Sequence, residues 1–179
     1  MVGVLDDASR VAVLGCGSQF RGDDEAGTLI AELLQEELAR AGALGAPGGS
    51  GLPGGDALPG GRTLQAFAGH AAPENLTGEI KAMHPDLLLV IDAVDLGVDV
   101  PAGEAALVHI DDIAGVSFST HMLPLKIVLD YLARELDCRI CLLGIQLASI
   151  EFMAQMHPAV RQTVDETVAT LLSWQAARG

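Results

Sequence analysis

The sequence predicts an α/β protein, one three-layer α/β/α domain over residues 1–179 built around a five-stranded, mostly parallel twisted sheet. Three observations predict it. A buried-looking strand, Arg10 to Leu14, runs through a glycine-rich turn into a long amphipathic helix. The run Asp86 to Asp92 (Asp-Leu-Leu-Leu-Val-Ile-Asp) is apolar throughout, as a central strand covered on both faces must be. Strand-length apolar runs then alternate with stretches of helical periodicity along the rest of the chain.

After the first strand, Ala26, Leu29, Ile30, Leu33, Leu34, Leu38 and Ala41 recur at three and four residues, which makes Asp24 to Ala41 a helix laid on the sheet, with Asp23 and Asp24 on its first turn. Residues 42–61 hold nine glycines and three prolines, too little apolar surface to offset the entropy of ordering them, and are expected to form a flexible loop. Thr63 to Ala68 is the second expected strand, Asn75 to Met83 a short helix, and Asp86 to Asp92 a third strand ending in a carboxylate. Glu104 to Ile110 is expected as a strand. Next comes a helix with Pro124 in its first turn, an inward stripe of Leu125, Val128, Leu129, Leu132 and Leu136, and Ser119 or Thr120 as cap. Cys138 to Ile145 is the fifth strand. Pro158 to Trp174 is the closing helix, facing inward through Val160, Val164, Val168, Leu171 and Leu172.

A formal charge of −14, from 24 acids and 10 bases, disfavours nucleic acid and anionic membranes as partners. The first residues lack a basic start followed by an apolar core, and no apolar run approaches the roughly 18 residues that span a bilayer. The chain is expected to be cytoplasmic and monomeric. Cys16, Cys138 and Cys141 are an odd number, too few for a disulfide framework. Cys138 and Cys141 share a C-x-x-C spacing, but in a strand positions three apart face opposite ways, so core packing explains them.

The turn Gly15-Cys16-Gly17-Ser18-Gln19-Phe20-Arg21-Gly22-Asp23-Asp24 carries the chemistry. Open α/β sheets keep their ligand sites at the carboxyl edge of the strands, where this turn falls. Glycines there commonly cradle phosphate, but adjacent carboxylates repel an anion and suit a cation. A dinucleotide site is disfavoured further: Phe20 stands where the third glycine would be, and the second strand ends in Phe67, Ala68 and Gly69 without an acid for a ribose. No Gly-Lys-Ser/Thr phosphate loop and no Gly-x-Ser-x-Gly elbow occurs.

Asp24 after the first strand, Asp92 at the end of the third and His121 at the entrance to a helix hold equivalent places in this order and can meet at one sheet edge. Two carboxylates and an imidazole suit nickel, iron, manganese or zinc better than calcium. Each residue also has a plainer role: Asp23 or Asp24 as helix cap, Asp92 as partner of a loop backbone, His121 as a structural histidine. Their shared position favours the ligand reading. His84 and His109 sit where structural histidines do, His157 precedes a helix start, and His70 closes the second strand.

Five segments in order along nearly the whole chain, Gly15 to Gly27 (GCGSQFRGDDEAG), Ala72 to Asn75 (APEN), Ile91 to Gly97 (IDAVDLG), Ser119 to Pro124 (STHMLP) and Gly144 to Gln146 (GIQ), resemble the nickel-iron hydrogenase maturation endopeptidases. The likeness is strongest to the type that processes the large subunit of the formate-hydrogenlyase hydrogenase. The resemblance implies an endopeptidase that removes the C-terminal extension of the hydrogenase large-subunit precursor after nickel insertion, so activating the hydrogenase. It implies nickel ligation by Asp24, Asp92 and His121, with the nickel supplied by the precursor and the two aspartates also catalytic. Asp23 and Asp95 are candidates for supporting them. Ser18 stands where the family usually has Asn, and Glu25 where it has Gly. A non-enzymatic nickel carrier or sensor of the same fold is the alternative, and a nucleotide-binding α/β module a further one.

Overall fold

The computed structural model describes residues 2–42, 61–109 and 122–177. The flexible loop expected over 42–61 falls almost wholly outside these residues, as do His121 and the expected caps Ser119 and Thr120. In chain order the elements are α1 (Val2–Leu5), β1 (Arg10–Cys16), a 3-10 turn (Gly22–Glu25), α2 (Ala26–Arg40), β2 (Thr63–His70), a second 3-10 turn (Pro73–Leu76) and α3 (Thr77–Met83). They continue as β3 (Leu87–Val94), β4 (Ala105–His109), α4 (Met122–Glu135), β5 (Arg139–Gln146) and α5 (Pro158–Ala176).

The five strands form one sheet in the order β2-β1-β3-β5-β4, all parallel except β4, which pairs antiparallel with β5. The expected α/β architecture is therefore what forms. Alternation along the strands divides the core into two layers. Val11, Val13, Leu87, Leu89, Ile91 and Leu143 pack with Ile30, Leu34 and Leu38 of α2 and with Val160, Val164 and Leu171 of α5. Ala12, Leu14, Leu88, Val90 and Leu142 pack on the other face with Ile80 of α3 and Leu125, Leu129 and Leu132 of α4. Burying a large aliphatic side chain contributes about 1.5–3 kcal/mol, so these two layers supply most of the drive to fold. Cys141 lies in the first layer and Cys138 against the second, the opposite-face placement that strand geometry requires.

Several boundaries differ from the sequence expectation. The short α1 was not anticipated, because four residues carry no periodicity. Leu5 of α1 is nonetheless fully buried, and its carbonyl accepts the indole N–H of Trp174 at 3.0 Å. Strand β3 runs two residues past Asp92 to Val94, so the carboxylate lies inside the strand rather than closing it. Asp23 and Asp24 occupy a separate 3-10 turn, and α2 starts only at Ala26. Among the described residues no helix is long and apolar enough to cross a membrane.

Candidate active site

Chain order reverses between β1 and β3: β2 lies to one side of β1 and β3 to the other. Such a switch point leaves a crevice at the carboxyl ends of the two strands. The turn after β1 and the end of β3 both meet there.

Glycine makes the close approach possible. Gly17 adopts φ +119°, and a β-carbon there would lie 1.6 Å from the Asp24 carbonyl oxygen. One at Gly27 would lie 2.1 Å from the Ile91 carbonyl oxygen and 2.5 Å from that of Cys16. The start of α2 is thus seated directly on the ends of β1 and β3. Thr28 fixes it, its hydroxyl donating to the Gly17 carbonyl at 2.9 Å.

The two adjacent aspartates of the turn do different work. Asp23 is buried and accepts three backbone N–H groups, from Ala148 at 2.7 Å, Ser149 at 2.9 Å and His157 at 2.6 Å. Its own N–H donates to the Ser149 carbonyl at 3.0 Å. It therefore fastens the β1 turn to the segment between β5 and α5. Asp24, equally buried, accepts the Ser18 N–H at 2.9 Å through Oδ2. Neither carboxylate bonds the N–H groups of its own 3-10 turn or of α2, so the helix-cap role is not the one the fold uses.

Asp92 shares its face of β3 with Leu88 and Val90, which pack under α4. Burial pushes its carboxyl up to about 8, and the negative charge of Asp24 adds to that rise, against a hydrogen bond from the Ala93 backbone. Asp24 and Asp92, 68 positions apart in sequence, are thus brought within electrostatic reach of each other. Cys16, on the same layer as Asp92, is also fully buried. Its thiol is pushed well up by burial first, then by Asp92 and by Asp24. In the sequence Cys16 stands out only as one of three cysteines too few for a disulfide framework. Its signal was its place as the last residue of β1, at the same sheet edge as Asp92.

Among the described residues no three His, Cys, Asp or Glu side chains form a group able to hold a metal ion. Asp24 and Asp92 supply two neighbouring carboxylates, and the third expected ligand, His121, lies outside the described residues. Asp95 is exposed and closes its own turn, its Oδ1 accepting the Gly97 N–H at 2.9 Å. Gln146, buried at the end of β5, accepts the Leu96 N–H at 2.6 Å through Oε1 and ties down the loop after β3. The remaining histidines are structural where they are described. His157 caps α5, its Nδ1 accepting the Ala159 N–H at 3.2 Å, and His84 ends α3 in the left-handed conformation. His70, exposed and also left-handed at φ 47°, lends its carbonyl to the Gly17 N–H at 3.0 Å.

Comparison with known proteins gives the family. The family profile of the HycI hydrogenase maturation proteases matches residues 64–174. The hydrogenase 3 maturation protease of Escherichia coli is 31% identical over 112 residues, 62% of this chain and 70% of that protein. A provisionally named hydrogenase maturation protease of Methanocaldococcus jannaschii is 27% identical over 168 residues, 94% of this chain and 89% of its own. The crystal structure of the HycI maturation protease of Thermococcus kodakarensis superposes with a TM-score of 0.76 at 24% identity, over 98% of this chain and 97% of that one, and so agrees in fold. A match over more than half of the chain, together with the shared α/β fold, shows that the protein belongs to the hydrogenase maturation proteases, a family of peptide-bond hydrolases.

Proposed function

We propose that this enzyme removes the C-terminal extension of a nickel-iron hydrogenase large-subunit precursor once nickel is in place, and that Asp24, Asp92 and His121 read the substrate's nickel. The observation that carries the proposal is the pairing of Asp24 and Asp92 at the switch point. Burial, and then the charge of Asp24, raise the cost of ionising Asp92, which a divalent cation relieves.

Topology supports His121 as the third ligand. Helix α4 has 14 residues, about 21 Å, enough to cross the sheet. It ends at Glu135, just before β5 starts at the edge opposite the site, so Met122 begins α4 at the carboxyl edge, on the face of the sheet that Asp92 shares. His121 immediately precedes Met122 in sequence. The donor set of two oxygens and one nitrogen suits a first-row divalent ion with positions left for the substrate's own ligands.

The precursor's nickel, once docked, supplies a positive centre that positions and polarises the neighbouring peptide carbonyl. Asp24 and Asp92 would then stand where, as carboxylates, they could orient a water against that carbonyl and accept its proton.

The test is to incubate the enzyme with nickel-loaded and nickel-free precursor from the same organism and weigh the products. Cleavage of the loaded form alone is expected. Tight binding of free nickel ion with both precursors left intact would instead favour the carrier reading.

A further inference from the structure

Of the six large hydrophobic side chains exposed among the described residues, four sit on the three loops that border Asp24 and Asp92. Phe20 (51% exposed) is in the turn after β1, Val98 (100%) in the loop after β3, and Phe152 (76%) and Met153 (69%) in the segment after β5. The other two, Ile127 and Tyr131, are on the outer side of α4. Single exposed apolar residues are ordinary, but a concentration of large ones at one edge marks an interaction surface.

This surface is held in place rather than left loose. The Met153 N–H donates to the Phe20 carbonyl at 2.7 Å, the Arg21 Nε donates to the Ile150 carbonyl at 3.4 Å, and Asp23 anchors Ala148, Ser149 and His157 behind it. Met153 is held in the left-handed region at φ 61°, a conformation costing about 1 kcal/mol or more for a residue of this kind. Exposed acids stand on two of these loops: Asp99 and Glu104 between β3 and β4, and Glu151 after β5. Two bases lie at the same edge, Arg21, half-buried, and Arg161, which faces Glu25.

Building on the proposed function, we propose that Phe20, Phe152 and Met153, rimmed by Asp99, Glu104 and Glu151, form the docking surface for an apolar segment of the precursor that is flanked by lysine or arginine. Charge selects the occupant: a chain of net charge −14 repels acidic surfaces, and acids around an apolar centre complement bases around an apolar segment. The position does the rest, since a segment seated on Phe20 lies beside the turn that carries Asp24. Substrate binding energy collected here holds the precursor on the enzyme equally before and during reaction, without touching the reacting atoms.

The test is steady-state processing of nickel-loaded precursor by the wild type, by a Phe20→Ser/Phe152→Ser double variant, by Met153→Gly and by Ile127→Ser. The double variant should raise KM on the order of tenfold with kcat within about twofold, as truncating two anchors does. Met153→Gly relieves the backbone strain while deleting the side chain, so a folded protein with raised KM is expected there too. Ile127→Ser should behave as wild type, and added salt should raise the wild-type KM. An unchanged KM in both patch variants, with a wild type that cleaves, overturns this docking surface and leaves the proposed function standing. A wild type that cleaves no precursor, loaded or not, overturns both. A wild-type dimer in light scattering that the double variant makes monomeric, again with unchanged KM, assigns the patch to a second copy of the chain and overturns the proposal.

Discussion

Asp23 and Asp92 are buried at the same edge of the same sheet, yet one is surrounded by donors and the other by apolar side chains and a like charge. Three backbone N–H groups converge on Asp23, and it binds two loops together. Asp92 lies against the α4 layer with Asp24 nearby, and its carboxyl is driven up to about 8. The contrast teaches where stability and function part company. A carboxylate satisfied from within the chain is finished chemistry, whereas a crowded pair retains a demand that a ligand can meet.

The sharpest break of that comparison is on activity. Asp24→Asn and Asp92→Asn should each lower processing of nickel-loaded precursor by about 10³-fold, the loss typical of removing a preorganised charged group. Their melting temperatures at pH 8 should not fall, and that of Asp92→Asn should rise. A variant that processed at the wild-type rate would remove both residues from the site. Gly27→Ala comes next. A methyl group 2.1 Å from the Ile91 carbonyl oxygen must push α2 off the sheet, costing roughly 3 kcal/mol or more in urea unfolding and displacing Asp24 as well.

Asp23→Ala should cost about 2–3 kcal/mol, since it strands backbone donors that now bond a carboxylate. The same variant should show faster amide exchange at Ala148, Ser149 and His157, which a general loss of stability would not confine to those positions. A pH dependence follows from Asp92. Its folded value, about 8, exceeds the ordinary 3.8, so between those values the folded state holds more protons than the unfolded. Stability from this group is full below about pH 4 and is lost as pH rises through 8. The decline between pH 5 and pH 8 should be on the order of 3–4 kcal/mol and should flatten in Asp92→Asn. A wild-type curve rising over that range would contradict the burial of Asp92.

How much of this was readable from the chain depends on the range of the interaction involved. Periodicity located β1, β3, β5, α2, α4 and α5 to within a few residues because each element buries its own apolar stripe. It missed α1, whose four residues matter only through Leu5 and Trp174 at opposite ends of the sequence. Asp24 and Asp92 were found through their places at the ends of two strands, and the fold does bring them together. The separate roles of Asp23 and Asp24 could not be read, since adjacent identical residues differ only in what they face. Asp95, close to Asp92 in sequence, bonds the Gly97 N–H of its own turn. Gln146 braces the loop instead, from another strand.

The order of strands and helices along the chain and the glycine-rich turn after the first strand follow from the residues alone, because they depend on local periodicity and on glycine, whereas the switch point needs the pairing of β1 with β3. Which aspartate binds the fold together, which one is left crowded beside another charge, and the gathering of Phe20, Phe152 and Met153 on one rim were decided only by the tertiary structure. The reason is that burial and hydrogen bonding are set by neighbours far away in the sequence, and no local pattern records who those neighbours are.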